Sequence, residues 1–325
     1  MVGLFSRMVV GLTVRMPRWF VGWVSRRYVA GPALEDAVKV MKRLSKEGAC
    51  FTIDVLGEEI TTMDEASYFL EEYKRVITAI SANNFDANLS IKPTAFGLLL
   101  DSEKGMENIE ALVRMANSHN MFVRLDMEDH RVTDDTIQVM LEMHEKGLTN
   151  VGVVLQARLF RTIDDIKNIA QKLGSKADYR ICKGIYLEPS EIAHTARQPI
   201  IEATNACIDE MLDTAAYVGI ASHDHPVINH ALEALSIRNM GPDAQDPRAD
   251  YEVQRTGKGP GYEFQMLLGV RGPLRRKLRS KGHPTRVYIP YGEKWYEYSI
   301  RRLKENPTIG TQVAKALLMP WTNRP

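Results

Sequence analysis

Cysteine is scarce and scattered. The three in the chain, Cys50, Cys182 and Cys207, form no CxxC pair and have no histidine cluster beside them. Neither a zinc site nor a disulfide framework is therefore expected, and a reducing cytoplasm suits the pattern. No apolar run approaches the roughly 20 residues that span a bilayer, and no secretory h-region with a small-residue cleavage site is present. No GxGxxG follows a strand-like run, which argues against a dinucleotide-binding sheet. Excess charge is also lacking: 42 Lys and Arg face 41 Asp and Glu, for a formal net charge of +1. The field of the whole chain thus points to neither nucleic acid nor a generic polyanion as partner.

Acidic residues are missing altogether before Glu35, where five arginines stand: Arg7, Arg15, Arg18, Arg26 and Arg27. With Trp19, Phe20 and Trp23 among them, this segment suits a surface helix lying on anionic lipid. A mitochondrial presequence looks similar. A helical arm packed on the domain, its arginines reaching out to water, accounts for it as well. The expectation is an N-terminal helical arm over residues 1–34 on a cytoplasmic protein, with peripheral contact to the inner face of the cytoplasmic membrane as one role for it.

What is present is a regular alternation. Apolar, β-rich runs occupy residues 50–56, 88–92, 122–127, 151–155, 179–183, 219–222, 262–265 and 285–290. Between them lie segments of helical period, including 65–81, 107–119, 134–146, 163–173, 200–217 and 227–238. Asp134 and Asp164 fall where N-caps are wanted, Gly147 and Gly174 where helices should stop. Eight strands alternating with helices predict an α/β fold with a parallel sheet closed into a (β/α)8 TIM-type barrel over residues 35–325. A doubly wound sheet is the alternative. Residues 240–260, rich in Gly, Pro and Asp, read as a loop before the seventh strand.

In such a barrel the chemistry sits at the C-terminal ends of the strands. Polar residues gather there: Asp54 and then Glu58, Lys92, Asp126, Gln156, Lys183, His223, Gln265 and Tyr288. Beyond the last strand, residues 294–305 contain no Gly or Pro and read as a helix. It puts Tyr298, Arg301 and Arg302 on one face, at i, i+3 and i+4. Two neighbouring guanidiniums repel unless an anion sits between them, and a carboxylate or phosphate matches their fork. A solvated basic patch is the plainer account. In the run Arg180-Ile181-Cys182-Lys183-Gly184, alternation turns Arg180 and Lys183 to opposite faces if the strand holds both. A lyase using Lys92 or Lys183 as a Schiff-base amine and a membrane scaffold held by the arm are the competing readings.

Taken in order, Tyr28-Val29-Ala30-Gly31, Asp54-Val55-Leu56-Gly57-Glu58, Ser90-Ile91-Lys92, Leu125-Asp126-Met127-Glu128, Arg180 through Pro189, Tyr262 through Leu267 and Tyr298-x-x-Arg301-Arg302 cover nearly the whole chain. In these motifs the sequence resembles the proline dehydrogenase family in its stand-alone bacterial form. The resemblance implies an FAD-dependent barrel that oxidises L-proline to pyrroline-5-carboxylate, the first step of proline catabolism to glutamate, and passes electrons to a membrane quinone. It implies that Lys92, Arg301 and Arg302 bind the substrate carboxylate. Tyr288, Tyr298 and Leu267 enclose its ring with Tyr186 nearby, Glu58 pairs with Arg301 as a gate, and Asp126 organises the site. It further implies that Arg180 lies at the flavin N5 edge. Gln156, Lys183, Gly184, Ser222, His223, Gln265, Arg302 and Glu305 are its other FAD contacts. Ser222-His223-Asp224 departs from the more usual Thr-His-Asn and adds an acid there. No metal is implied. Neither an aldehyde dehydrogenase module nor a ribbon-helix-helix segment is seen, so pyrroline-5-carboxylate dehydrogenase is expected as a separate protein.

Overall fold

The computed structural model describes residues 21–22, 25–244, 246–247 and 261–305, the last five as backbone only. The expected arm therefore lies largely outside the described residues, as does most of the loop over 240–260. Helix α1 (Leu34–Ser45) comes first and buries Leu34, Ala37, Met41 and Leu44 along one stripe. Eight strands follow: β1 (Cys50–Val55), β2 (Ala87–Ile91), β3 (Val123–Leu125), β4 (Val151–Gln156), β5 (Asp178–Cys182), β6 (Tyr217–Ala221), β7 (Tyr262–Leu267) and β8 (Thr285–Tyr291). They alternate with α2 (Met63–Asn83), α3 (Ser102–Ser118), α4 (Thr133–Glu145), α5 (Thr162–Leu173), α6 (Arg197–Asp213), α7 (His225–Ile237) and α8 (Gly272–Ser280). Helix α9 (Trp295–Glu305) follows the last strand. Each strand pairs in parallel with the next and β8 returns to β1, closing the barrel. All eight strands lie where apolar β-rich runs predict them.

Helix ends obey local chemistry. Thr62 caps α2 through Glu65 N, and Asp101 caps α3 through Lys104 N at 3.2 Å. Asp134 and Asp164 are not caps. A 3₁₀ turn, His130–Val132, capped by Asp129, already winds the chain before α4. Helix α5 likewise begins at Thr162, so both aspartates fall in first turns, where they favour the helix dipole. Gly174 does end α5, with φ 54°.

The barrel interior is where this chain differs from a common (β/α)8 core of branched aliphatics. Alternate residues of one parity face inward on every strand, and many are charged. Arg124 bonds Asp178, while Arg286 donates from Nε to both carboxylate oxygens of Glu263 at 2.9 Å. Each of these four side chains is almost wholly buried. Burial disfavours the Arg286 charge, yet the Glu263 carboxylate beside it holds the guanidinium above its ordinary range. Room for such bulk comes from two inward glycines. A Cβ on Gly152 would stand 2.3 Å from Asp178 O and 2.7 Å from the Arg124 guanidinium, and one on Gly219 would stand 2.6 Å from Gln265 Nε2.

Gly152→Ala is accordingly expected to destabilise the fold by about 1–3 kcal/mol, the usual cost of overpacking. Gly241→Ala, whose Cβ would meet nothing within 4 Å among the described residues, is the control. Urea midpoints for the two variants check this, and an unshifted Gly152→Ala midpoint would refute the packing account.

Candidate active site

Strand geometry carries the charged layer upward to the mouth. Gln265, on β7, donates from Nε2 to Glu263 at 2.6 Å and accepts from Arg180 Nε on β5. Arg180 then reaches across the barrel, its NH1 donating to Ser90 Oγ at 3.0 Å and to Asp126 Oδ1 at 2.7 Å. Asp126 is the centre of the arrangement. It accepts from Ser90 Oγ at 2.7 Å and from the Tyr288 hydroxyl at 2.8 Å, and the Lys92 ammonium lies 3.9 Å away. Lys92 donates in turn to Asp54 at 2.7 Å.

This layer brings together residues from β1, β2, β3, β5, β7 and β8. Burial by itself would lower the Lys92 pKa, but Asp54 and Asp126 raise it above that of an ordinary lysine. A lysine so held cannot serve as a neutral amine nucleophile at neutral pH, which disposes of a Schiff-base role for it. An ammonium has three donors. With one on Asp54, Lys92 keeps capacity for a ligand carboxylate.

The aromatic wall follows from register. Leu267 and Tyr288 are paired neighbours on β7 and β8, and the Arg180 guanidinium lies 5.3 Å from the centre of the Tyr288 ring. Because the Tyr288 hydroxyl is tied to Asp126, its ring is fixed in place. The Tyr186 hydroxyl donates to Glu58 at 3.2 Å, joining the loops after β5 and β1. Tyr298 lies on α9, whose Arg301, Arg302 and Glu305 side chains are outside the described residues.

A second group gathers at the ends of β4 to β7. Gln156 Nε2 donates to Glu128 O at 2.7 Å. Gly184 holds φ 88°, and a Cβ there would press on Arg158 and Gln156 within 3 Å. Its need for glycine is thus internal packing. Lys183 lies beyond the end of β5, exposed, while Arg180 is inside; the strand stops at Cys182 and does not run through both, so alternation does not set the facing of Lys183. His223 Nε2 accepts from Leu267 N at 3.1 Å, so the neutral ring carries its proton on Nδ1. Burial, reinforced by Arg271 and Lys183, pushes its pKa down to about 4. Ser222 Oγ accepts from Asp224 N at 3.2 Å and shapes the turn. The Asp224 carboxylate faces Arg197 at 3.3 Å, so the extra acid of this segment is matched by a cation.

Sequence reasoning overlooked several members. Arg124, Asp178, Glu263 and Arg286 carry the charged layer, and their signal was present as polar residues at every second position of strands buried on both faces. Glu128 belongs beside them. It is buried, and it accepts from Thr94 N at 3.2 Å and from Thr94 Oγ1 at 2.6 Å. Burial pushes its pKa up to about 7. Thr94 Oγ1 also accepts from Glu59 N at 3.0 Å, which fixes the loop bearing Glu58.

Fold and site together define a (β/α)8 enzyme with a cationic, aromatic-walled mouth. The chain belongs to the proline dehydrogenase family, whose pattern matches residues 37–315. Members of that family oxidise proline to pyrroline-5-carboxylate and are FAD-dependent. The chain is 32% identical over 294 residues to proline dehydrogenase 1 of Bacillus subtilis subsp. natto, covering 90% of each chain. It is 29% identical over 299 residues to the proline dehydrogenase of Deinococcus radiodurans, covering 91% of this chain and 90% of that one. Among solved structures, proline utilization A from Bdellovibrio bacteriovorus inactivated by N-propargylglycine superposes with a TM-score of 0.76 at 21% identity. That match covers 87% of this chain and 32% of the other, so the chain spans about a third of that larger protein and shares its barrel fold.

His223 yields a pH prediction. A base whose folded pKa lies below its ordinary 6.5 contributes stability that is complete above that value and lost as pH falls toward about 4. Imidazole ¹⁵N shifts should show an unprotonated Nε2 at pH 5.5. A charged ring at that pH would contradict the assigned environment.

Proposed function

We infer that this protein is a flavin-dependent proline dehydrogenase that oxidises L-proline to pyrroline-5-carboxylate and delivers the electrons to a membrane quinone. The observation that carries this reading is the Asp126 centre, which gathers a lysine, an arginine and a tyrosine around one carboxylate at the C-terminal mouth. Family membership supplies the substrate.

Whether the chain suits FAD is tested by the donors at the ends of β4 to β7. Lys183 is an exposed cation with no carboxylate partner among the described residues. Beside it are a neutral imidazole with a proton on Nδ1, the amides of Gln156 and Gln265, and the buried Arg180. Cations, amides and a neutral donor suit a group that combines a pyrophosphate with a ring of carbonyl and imine acceptors. Gln156, Arg180, Lys183, Gly184, Ser222, His223, Gln265, Arg302 and Glu305 are the residues that would hold it. When bound, FAD supplies the two-electron oxidant for the substrate C5–H bond.

The chain's own residues perform the rest. Lys92, Arg301 and Arg302 receive the proline carboxylate, which sets the ring's direction in the mouth. Inside the described layer, Lys92 and Arg180 are already balanced by Asp54 and Asp126. Attraction for the carboxylate therefore comes chiefly from the α9 arginines, with Lys92 adding a directed hydrogen bond. Leu267, Tyr288, Tyr298 and Tyr186 exclude water from the ring and hold C5 in a near-attack position. Asp126 keeps Arg180 aimed, so that its guanidinium stabilises negative charge developing at the end of the site. Glu58, held by Tyr186 and by the Thr94–Glu59 contact, closes the entrance against Arg301.

L-proline, FAD and a quinone are the partners of this reading, and a separate pyrroline-5-carboxylate dehydrogenase would consume the product. In this reading contact with the quinone's bilayer is peripheral, with residues 1–34 as an arm ahead of the barrel over 35–325; no described helix is long and apolar enough to cross a membrane.

The visible spectrum before and after anaerobic L-proline tests it. A yellow protein that bleaches with proline and not with unrelated amino acids is expected. Arg301→Met or Arg302→Met should keep the colour but require about 10- to 100-fold more proline, the scale of one lost charged hydrogen bond. A yellow protein indifferent to proline would overturn the substrate, and one that takes up no FAD would overturn the cofactor.

A further inference from the structure

Glu128 is buried at the mouth, yet it forms an ion pair with none of the described cations. It opens a short segment, residues 128–131, that touches four neighbours of β3. The Glu128 carbonyl accepts from Gln156 Nε2 at the end of β4, and its carboxylate takes both donors of Thr94, after β2. His130 meets Glu188 of the loop after β5, its backbone N donating to Oε1 at 3.0 Å. Arg131 NH2 donates to Glu59, on the loop after β1, at 2.6 Å.

Glu59 directly follows Glu58, and its backbone is left-handed, with φ 44°. Glycine holds that conformation freely; a glutamate there needs support. Two contacts supply it. The pair with Arg131 is more than half exposed on both sides, 60% and 56%, and water and salt weaken such pairs. The other contact ends on two buried side chains. Glu59 N donates to Thr94 Oγ1 at 3.0 Å, and that hydroxyl donates its own proton to Glu128 Oε2 at 2.6 Å. Thr94 N donates to Glu128 Oε1 at 3.2 Å. The firmer support therefore runs through Glu128.

We propose that Glu128 is a positioning residue for the loop at the entrance: through Thr94 it holds Glu59, and thereby sets Glu58 against Tyr186 above the substrate. The inference rests on the closing role given to Glu58. A hydroxyl has one proton to donate. Facing a carboxylate, Thr94 gives that proton to Glu128 and keeps a lone pair for the Glu59 N–H, so every group is matched. In a protonated carboxyl one oxygen carries a proton of its own, and the two Thr94 donors no longer both find a charged acceptor. The hold is thus strongest when Glu128 is ionised.

The charges around Glu128 put that ionisation near neutrality. Burial raises its pKa to about 7; the Thr94 bonds and Lys92, at the end of β2, lower it, and Glu58, on the loop after β1, raises it. On its own segment Asp129 and Arg131 pair with each other, and His130 turns to Glu188. Gln156, from β4, is neutral. As pH falls through about 7, Glu128 takes up a proton and the hold on Glu59 weakens.

The test compares KM for L-proline in the parent and in Glu128→Gln, a stand-in of the same shape for the protonated acid, with flavin content checked in each. At pH 8 the variant should need about 10-fold more proline, the scale of one lost charge-assisted hydrogen bond, and at pH 6 the two should agree within about two-fold. At each pH the limiting rates of flavin reduction should match. Thr94→Val, which keeps the shape and loses the hydroxyl, should behave as Glu128→Gln does, and Thr94→Ser should restore the parent. Hydrogen exchange of the unaltered protein needs neither variant nor turnover. Corrected for the intrinsic rate, protection of the Glu59 amide should fall between pH 8 and pH 6, while that of Leu89, whose N–H donates to Phe122 O at 2.9 Å in the barrel wall, should not. A KM ratio equal at the two pH values, or Glu59 protection indifferent to pH, would overturn the proposal. Glu58→Ala separates it from the reading beneath. A raised KM there beside an unaltered Thr94→Val would overturn this inference alone; an unaltered KM there would overturn the closing role and the inference with it.

Discussion

An ionised group inside a protein must find a partner, because leaving it unpaired away from water costs several kcal/mol. The interior of this barrel is organised around that rule. Four inward cations, Lys92, Arg124, Arg180 and Arg286, meet four inward anions, Asp54, Asp126, Asp178 and Glu263. Gln265 links the Arg286–Glu263 pair to Arg180, and Asp126 links Arg180 to Lys92 and Tyr288. No member can turn away without stranding another. The charges at the mouth are thereby fixed before any ligand arrives.

Such pairing is poor evidence of stability, since a well-packed apolar core of the same volume often does as well. What it supplies is placement. Arg180 must cross the barrel to meet Asp126, and it is held at Nε by Gln265, which fills the space left by Gly219, the register partner of Arg180 on β6. Tyr288 is held at its hydroxyl and lies beside the same guanidinium. These contacts make one rigid unit from residues on six strands, the condition under which electrostatic stabilisation needs no reorganisation during reaction. The loops that carry Glu58 and Tyr186, joined to each other at 3.2 Å, and the helix that bears the arginine pair lie outside this unit.

Much of this was legible in the sequence. Eight β-rich runs at regular spacing identify the strands because parallel strands buried on both faces are apolar nearly throughout. Strand ends then identify Lys92, Asp126, Gln156, His223, Gln265 and Tyr288, because the fold puts them at one mouth. The lower charged layer was not read, although Arg124 between Val123 and Leu125, and Glu263 between Tyr262 and Phe264, show the alternation plainly. A charge within an apolar run looks like a surface position until closure of the barrel gives the strand a second buried face. Partners such as Thr94 for Glu128, or Arg197 for Asp224, depend on loop paths that no spacing reveals. The caps at Asp134 and Asp164 failed for a related reason: the chain was already turning before the expected start of each helix.

The most direct measurement of this account is a double-mutant cycle between Asp126→Asn and Arg180→Lys, read as kcat/KM for L-proline with flavin content checked in each variant. If Asp126 acts by holding Arg180, the double variant should be scarcely worse than the worse single one, a coupling of about 1–3 kcal/mol. Losses that simply multiply would show that the two residues act independently, and the charged layer would then be scaffolding with no part in the reaction.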